Sequence, residues 1–287
     1  MYKITKKIML KENIVLMDIE SKRCAGACKI GQFVVVKIDE KGERIPLTIC
    51  DYDSKKGTVT IVYQTIGYST SKLAQLNAGD YIQDFAGPMG MESELGHMSD
   101  EELKSKSIVF IGGGVGIAPI YPQLKYLHQK GIDADVILGV RTKDILIFED
   151  ELKSVAKNVY IATDDGSYGF KGNASQYLED LMKNGGKKYN YAVIIGPMIM
   201  MKFTFLIAKS LGINDITVSL NSIMVDATGM CGACRVSVGD EVKFTCVDGP
   251  EFDAYKVNFD EALRRQSIYK QQEKEKTKYL TKNCNCF

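Results

Sequence analysis

The pattern of hydrophobic and polar positions changes from the first half of the chain to the second. Over residues 1–90, apolar residues alternate with polar ones in short β-branched runs, and Gly or charged turns separate the runs. Several such strands at regular spacing are typical of a sandwich or barrel. The clearest runs are IVLMDIE (14–20), QFVVVKI (32–38) and TVTIVYQ (58–64), and one short helix is predicted around Ser71–Leu76.

Residues 107–220 follow a different rhythm. Short apolar runs such as SIVFIGG and YAVIIGP alternate with helical stretches such as APIYPQLKYLHQKG. Alternating strands and helices predict a parallel sheet with helices on both faces. Ligands of such sheets bind beyond the carboxyl ends of the strands. The polar segment 91–106, between the two halves, is predicted to be a linker with one helical turn.

Composition excludes several classes of protein. The chain has 287 residues, which suits two domains and an appendage. Lys and Arg total 37 and Asp and Glu total 36, so the net charge of +1 indicates neither a nucleic acid nor a membrane surface as partner. No segment is apolar enough to span a bilayer, and the N-terminal charges argue against a secretory signal. We therefore expect a cytoplasmic protein.

Three of the eight cysteines form a cluster late in the chain. The sequence runs Asp226-Ala-Thr-Gly-Met-Cys231-Gly-Ala-Cys234, and Cys246 follows, which gives the spacing D-x4-C-x2-C-x11-C. Plant-type [2Fe-2S] sites have the spacing C-x4-C-x2-C and a distant fourth cysteine. Asp226 carries the same charge as a thiolate, and the small residues between the ligands let the backbone approach the sulfides.

Other interpretations of the cysteine cluster remain open on the residues alone. The site could hold zinc, but zinc ribbons usually pair two CxxC knuckles and here there is one. A redox-active CxxC would open a helix, whereas CGACRVSVGDEV leads into a strand. Buried cysteines without a ligand are the third possibility, and the spacing favours iron–sulfur over all three. No role is assigned to Cys24, Cys28 or Cys50, or to Cys284 and Cys286 in the charged C-terminal segment.

Three glycine-rich loops follow predicted strands in the second half. IVFIGGGVGIAP (108–119) runs through three glycines into a helix that is predicted to begin near Val115. Glycine lets the backbone approach a pyrophosphate, and a helix N-terminus favours negative charge. TDDGSYGFKG (163–172) and IGPMIMMK (195–202) follow two further strands. Each loop alone could be a tight turn or a cap, but three at one sheet edge predict a bound nucleotide.

The first half offers one candidate for phosphate binding. Arg44 opens the run RIPLTI (44–49), and a fixed guanidinium suits a pyrophosphate because it offers paired N–H donors. The segment Gly67-Tyr68-Ser69-Thr70 adds backbone N–H groups and hydroxyls for the same phosphates. Composition alone would favour Arg44 as an ordinary surface charge.

These motifs occur in the same order in a known group of proteins. RIPLTI, GYSTSKL, GPMG, GGGVGIAP, TDDGSYGFKG, GPMIMM and the cysteine cluster make residues 1–260 resemble flavin-binding electron-transfer subunits related to ferredoxin–NADP reductase. Within that group the chain most resembles the small subunit of NADH-dependent reduced ferredoxin:NADP oxidoreductase, which is similar at Asp226. The electron-transfer subunits of dihydroorotate dehydrogenase, usually with four cysteines, and of sulfide dehydrogenase are alternatives. A non-enzymatic metal-binding interaction module is the alternative from another class.

The resemblance implies a fold with three parts and a tail. These are a FAD-binding β-barrel domain (1–98), a parallel-sheet α/β NAD(P)-binding domain (104–222), a small [2Fe-2S] domain (223–260) and a charged tail (261–287). The implied FAD-binding residues are Arg44, Pro46, Leu47, Thr48, Val62, Tyr63, Gly67, Ser69 and Thr70. The implied nicotinamide nucleotide residues are Gly113, Gly114, Val115, Gly116, Ala118, Pro119, Asp165, Gly166, Gly196, Pro197 and Met201. The implied cluster ligands are Asp226, Cys231, Cys234 and Cys246.

The resemblance also implies the chemistry. Hydride transfer between NADH and a flavin needs no protein acid or base, so no catalytic side chain is predicted. Arg141 follows a strand and could meet a 2′-phosphate, pair with Asp144 or stack on adenine, and the resemblance alone favours NAD(H) over NADP(H). The resemblance further implies a larger partner subunit with its own flavin and [4Fe-4S] clusters, through which electrons reach ferredoxin.

Overall fold

The computed structural model describes residues 1–269, 271, 272 and 275. Two sheets of seven strands and a small hairpin organise this part of the chain. Cys284 and Cys286, which belong to the predicted charged tail, lie outside the described residues. Among the described helices, none combines the length and the apolar character that crossing a bilayer requires.

The first sheet is antiparallel and curls into a near-closed barrel, as the sequence predicts. Its strands are β1 (Tyr2–Lys11), β2 (Ile14–Glu20), β3 (Phe33–Lys37), β4 (Arg44–Asp53), β5 (Thr58–Gln64), β6 (Tyr81–Ile82) and β7 (Asp84–Met89). They are ordered β6-β1-β2-β5-β4-β3-β7. Alternate side chains such as Val15, Ile61 and Val36 fill the interior of the barrel.

Four short helices accompany the barrel and the segment after it. They are α1 (Lys22–Ala27), α2 (Tyr68–Leu73), α3 (Glu94–His97) and α4 (Asp100–Ser105). The helix predicted at Ser71–Leu76 therefore begins earlier, because Gly67 is its N-cap: the Thr70 hydroxyl accepts a hydrogen bond from the Gly67 N–H at 3.2 Å. The linker prediction for 91–106 was too simple, since two helices form there and bury Leu95 and Leu103 completely.

The second sheet is parallel except at one edge, which confirms the predicted α/β class. Its strands are β8 (Ile108–Gly113), β9 (Ala134–Val140), β10 (Asn158–Thr163), β11 (Phe170–Lys171), β12 (Tyr191–Ile195), β13 (Asp215–Ser219) and, after the hairpin described below, β16 (Glu251–Asp253). They are ordered β11-β10-β9-β8-β12-β13-β16, and only β16 is antiparallel to its neighbour. The helices around it are α5 (Ile120–Gln129), α6 (Glu149–Lys153), α7 (Ala174–Lys183) and α8 (Met198–Ser210).

The strand order fixes where a ligand can bind. Strand β8 has β9 on one side and β12 on the other, so successive crossovers leave it in opposite directions. This reversal is a topological switch point, and it opens a crevice beyond the carboxyl ends of β8 and β12. Two of the three glycine-rich loops follow these two strands.

The remaining segment returns to the second sheet. It contains the hairpin β14 (Arg235–Val238) and β15 (Glu241–Phe244), the helical turn α9 (Thr245–Asp248), β16 and helix α10 (Phe259–Gln266). Phe259 of α10 packs on Phe205 of α8 with ring centroids 5.7 Å apart. The boundaries of a separate cluster domain at 223–260 stay a prediction. Side chains of this segment pack in the same buried core as those of the parallel sheet.

The loop after β8 differs from its prediction. A 3-10 turn, Gly114–Ile117, follows the strand, and the α-helix begins only at Ile120 rather than near Val115. A Cβ added to Gly116 would lie 2.6 Å from the carbonyl oxygen of Ile195 and 2.8 Å from the Cα of Gly196. The two loops therefore touch through their backbones, and this contact requires glycine at residue 116.

We expect Gly116→Ala to lower the free energy of unfolding by about 1–3 kcal/mol, because the added methyl group overlaps backbone that cannot rotate away. Chemical denaturation measures the change. Gly26→Ala is the control, since a Cβ at Gly26 of α1 meets no atom within 4 Å. Alanine is the better helix former, so this control should match or exceed the parent stability. Equal stability of Gly116→Ala and the parent would contradict the contact.

Candidate functional site

The crevice at the switch point gathers the first group of predicted residues. The loops after β8 and β12 meet there, and a Cβ on Gly196 would lie 3.2 Å from the Cα of Gly113. Gly114 has a φ of +56°, and a Cβ added to it meets no atom within 4 Å. The turn is therefore closed towards β12 and has open space on the side of Gly114.

The third glycine-rich loop lies at the same edge. Its Asp165 N–H donates to the carbonyl of Arg141 at 3.2 Å, which ties the ends of β9 and β10 together. The Asp165 carboxylate accepts a hydrogen bond from the Ser167 N–H at 2.9 Å. Hydrogen bonds from Ser167, first from its side chain and then from its backbone, lower the pKa of Asp165. Gly166 follows in a left-handed turn with a φ of +76°.

Three residues that were predicted to bind the nicotinamide nucleotide have buried side chains: Ala118, Pro119 and Met201. Met201 of α8 is completely buried in the core between helix and sheet, and Ala118 is 1% exposed. Pro197 and Pro119 precede α8 and α5 as the residues that cap them. Met201 and Ala118 therefore support the loops from behind, and a ligand would meet the backbone in front of them.

The barrel residues separate onto two faces, as strand alternation requires. Leu47 of β4 and Tyr63 of β5 face the barrel interior, where the Tyr63 hydroxyl contacts Sδ of Met17 at 3.5 Å. Val62 points away from the barrel interior. It belongs to the buried cluster between the barrel and the second sheet, which also contains Ile117 in the loop after β8. The outer face of β5 is thus joined to the switch-point loop by apolar packing.

The start of β4 lies beside the N-terminus of α2. The Ser69 hydroxyl donates to Oε2 of Glu43 at 2.7 Å, next to Arg44, which is exposed. Thr70 already caps its own helix through Gly67. The structure therefore brings the chain beside Arg44 next to the Gly67–Thr70 turn.

The four candidate metal ligands form two pairs. Cys231 is close enough to Asp226 to contribute to the lowered pKa of that carboxyl, and Cys234 and Cys246 lie in one buried cluster. The Thr228 N–H also donates to Oδ1 of Asp226 at 3.0 Å, and this bond is the larger cause of the lowered pKa of that carboxyl. Burial and the neighbouring Cys234 raise the pKa of Cys246 to about 12.

This pairing distinguishes between kinds of metal site. Among residues 1–269, 271, 272 and 275, no three His, Cys, Asp or Glu side chains converge to hold a single metal ion. A tetrahedral zinc site needs such a convergence, whereas a [2Fe-2S] cluster takes two protein ligands on each of two irons. The spacing of the four residues along the chain is that of a [2Fe-2S] site with aspartate in the first position.

The loop that carries three of these ligands has a backbone suited to close approach. Ala227, Gly229 and Gly232 have φ values of +60°, +80° and +65°. Left-handed residues among right-handed ones turn successive N–H groups towards one concave side, which favours an anionic group. Arg265 of α10 secures the loop, because its Nη2 donates to the carbonyl of Ala233 at 2.9 Å.

Cys246 lies in a helical turn, although the run FTCVDG (244–249) predicts a strand that follows the turn at Gly239 and Asp240. β15 ends at Phe244, and Cys246 lies in the helical turn α9. The Thr245 hydroxyl donates to the carbonyl of Cys234 at 2.9 Å, so the turn is fixed against the loop of the other ligands. A turn of four residues has too little periodicity to be predicted from sequence.

Phe33 lies between the candidate flavin strand and the candidate cluster ligands. Phe33 and Val35 of β3 share a buried cluster with Cys234 and Cys246. Phe33 is also paired in register with Thr48 of β4. The strand predicted to contact flavin is thus one strand spacing, about 5 Å, from a side chain that packs on the thiols. Phe33 carried no signal in the sequence beyond its place in an apolar strand.

Comparisons with known proteins agree with this geometry. The family model described as the iron-sulfur cluster binding domain of dihydroorotate dehydrogenase B matches residues 221–258, and that of the oxidoreductase NAD-binding domain matches residues 110–205. Both matches fall on the segments where the structure places the paired thiols and the switch-point loops.

Two relatives match almost the whole chain. An uncharacterized protein in the adh 3′ region of Clostridium beijerinckii is 61% identical, with coverage of 95% of this chain and 92% of the relative. A homologue of the dihydroorotate dehydrogenase B (NAD(+)) electron transfer subunit from Thermotoga maritima is 43% identical, with coverage of 94% and 92%.

Solved structures give the same assignment. A chain in a structure of NADH-dependent reduced ferredoxin-NADP oxidoreductase, solved to study flavin-based electron bifurcation, aligns with a TM-score of 0.89 and 40% identity over 98% of both chains. A ferredoxin NADP+ reductase from Neisseria gonorrhoeae aligns with a TM-score of 0.59 at 20% identity over 74% of this chain and 90% of that one, which shows the shared fold alone.

The matches to oxidoreductases exclude the alternative that this chain is a non-enzymatic metal-binding module. The barrel, the parallel sheet and the cluster-binding segment are all accounted for by the same relatives. The chain belongs to the family of ferredoxin–NADP reductase-like electron-transfer subunits that includes the dihydroorotate dehydrogenase B electron transfer subunits and their homologues.

Proposed function

We propose that this chain carries FAD and one [2Fe-2S] cluster and passes electrons between NAD(H) and a larger subunit of an electron-bifurcating NADH-dependent reduced ferredoxin:NADP oxidoreductase. One observation carries the proposal: Phe33 is in register with Thr48 on one side and packs on Cys234 and Cys246 on the other. The alignment over 98% of both chains supports the choice of complex.

The proposed cofactor sites follow from the geometry. Arg44 and the turn at Gly67–Thr70 would hold the FAD diphosphate, and Pro46 and Thr48 on the outer face of β4 would line the flavin. The open side of Gly114, with Gly196 across the crevice, would receive the nicotinamide nucleotide. Asp226, Cys231, Cys234 and Cys246 would ligate the cluster.

The chain's own residues position and shield these groups. When bound, FAD accepts a hydride from NADH, and the cluster accepts electrons singly. Val62 and Ile117 belong to one buried cluster, which keeps the barrel and the loop after β8 in contact. The buried cluster of Phe33, Val35 and Cys234 excludes water between the two redox sites. No side chain is required as an acid or base.

The partner would dock at the exposed side of the cluster loop. The side chain of Met230 is 87% exposed and that of Val225 is 54% exposed. Cys231, which follows Met230 in the loop before β14, is also exposed. Solvent-exposed apolar residues next to a ligand suit a subunit interface across which electrons pass. The proposed partner carries its own flavin and [4Fe-4S] clusters, and we place the complex in the cytoplasm, where free thiols persist.

A subunit that serves dihydroorotate oxidation is the second candidate, with a role in sulfide oxidation as a further possibility. Relatives named as dihydroorotate dehydrogenase B electron transfer subunits, 30–31% identical to this chain, favour it. The chain of the bifurcating oxidoreductase is 40% identical over 98% of both chains, more than these named subunits, and favours the first candidate. The homologue from Thermotoga maritima, at 43% identity, is compatible with either.

The copurified complex distinguishes the candidates. We expect NADH-dependent reduction of NADP+ to require reduced ferredoxin, and we expect no electron transfer from dihydroorotate to NAD+. Purified alone, the chain should be coloured, should contain FAD and iron, and should reduce only artificial dyes with NADH. Dihydroorotate-dependent reduction of NAD+ by the complex would favour the second candidate.

Asp226→Asn tests the carboxylate ligand. The amide oxygen can still accept the Thr228 N–H, so the turn is kept while the negative charge is lost. We expect the ratio of iron to FAD to fall on the order of tenfold, with FAD still bound. Asp240→Asn in the exposed hairpin turn is the control and should keep its iron. An unchanged iron content and paramagnetic spectrum in Asp226→Asn would show that Asp226 is not a ligand.

Arg44→Ala tests the proposed diphosphate site. Loss of a charge-assisted hydrogen bond should raise the Kd for FAD about 10- to 100-fold in a titration of the flavin-free chain. Arg44→Lys should recover little of this, because an ammonium cannot make paired N–H contacts. Lys37→Ala is the matched control, since Lys37 lies opposite Arg44 on β3. Equal loss in both alanine variants would indicate a general charge effect.

A further inference from the structure

Two cysteines outside the cluster site lie in contact inside the barrel. Cys24 lies in α1 and Cys28 caps its C-terminus, so one helical turn separates them and both face the same side. Their Sγ atoms are 3.8 Å apart. Both belong to the barrel core, and neither has a part in the proposed electron path.

We propose that Cys24 and Cys28 form a redox-active dithiol that hydroperoxides oxidise to a reversible intramolecular disulfide. In the balanced step, the Cys24 thiolate attacks the peroxide, forms a sulfenic acid and releases the first oxygen as water after proton uptake. The Cys28 thiol then attacks the Cys24 sulfur, forms the S–S bond and expels the second oxygen as water. Two thiols and one hydrogen peroxide thus give one disulfide and two waters.

The backbone geometry allows the bond to close. Residues one helical turn apart have Cα atoms separated by about 6 Å, within the range that disulfides span. The sulfur separation must fall from 3.8 Å to the ~2.05 Å of a disulfide. Cys28 is the last residue of the turn and has an extended ψ of 140°, so it can rotate towards Cys24 with no following helical turn to distort.

The surroundings distinguish the two sulfurs. The hydrogen bond with Cys28 lowers the pKa of Cys24. The same hydrogen bond and then burial raise the pKa of Cys28. This is the asymmetry of an attacking thiolate and a resolving thiol. Lys22, Arg23 and Lys29 flank the pair in sequence and are exposed. Cys28 is 6% exposed and Cys24 is 1% exposed, so solvent meets the pair on the side of Cys28.

Cys50 provides an internal comparison. It is also buried, but it belongs to the cluster of side chains between the barrel and the second sheet rather than to the barrel core. Burial raises its pKa well above the ordinary value. A buried, protonated thiol of this kind is expected to react slowly with peroxide.

Tryptic mapping of the full chain with its cofactors tests the proposal, because each site falls on its own peptide. Cys24 and Cys28 share the peptide CAGACK (24–29), and Cys50 lies on IPLTICDYDSK (45–55). The chain is treated with limiting hydrogen peroxide, denatured and alkylated before digestion. We expect CAGACK to carry no alkyl group and to be two hydrogens lighter than its reduced form, and a dithiol reductant should restore both labels. Cys50 should be alkylated throughout.

Two further measurements separate a reactive pair from two inert thiols. In Cys28→Ser the resolving thiol is absent, so dimedone labelling of Cys24 after peroxide should rise on the order of tenfold over the parent chain. In the parent chain, phenylarsine oxide should block alkylation of both cysteines at once, reversibly by a dithiol. Full double alkylation of CAGACK after peroxide, or arsenical protection no greater than at Cys50, would overturn the proposal, whatever the cluster and flavin sites contain.

Discussion

The pairing of β3 with β4 is the constraint on which the rest of the site depends. In an antiparallel pair, residues directly opposite lie about 5 Å apart and cannot shift by one position without turning every side chain to the other face. The register places Phe33 opposite Thr48 and Val35 opposite Pro46. Since Phe33 and Val35 also pack on the cluster thiols, one sheet register sets the separation of the proposed flavin and iron sites.

The three parts of the molecule meet at a buried polar junction behind this pairing. Gln123 of α5 is completely buried and donates to Oε1 of Glu251 on β16 at 2.6 Å. Ser93, just after the barrel, donates to Gln123 at 3.4 Å. Burial raises the pKa of Glu251, and its Oε2 has no hydrogen-bond partner in the described structure. Such a junction specifies one arrangement of barrel, sheet and cluster segment, because any displacement leaves further buried polar groups unpaired.

Glycine has two different roles in the nucleotide crevice. Gly116 and Gly196 are needed because two loop backbones touch, and Gly114 is needed because its φ of +56° is costly for other residues. Only the open side of the turn at Gly114 is free for a ligand. A glycine-rich motif thus combines a packing requirement with a binding surface, and sequence alone does not separate them.

Local pattern determined much of this protein. The alternation in IVLMDIE and TVTIVYQ, the rhythm of strand and helix after residue 107, and the spacing of Asp226, Cys231 and Cys234 each encode geometry within a few residues. These gave the barrel, the parallel sheet and the kind of metal site. Tertiary structure decided the rest: Cys246 lies in a helical turn beside Cys234, Leu95 and Leu103 anchor a polar segment, and Phe33 packs on the thiols from the strand beside β4. Contacts between segments distant in sequence depend on how whole elements pack, and no local periodicity records them.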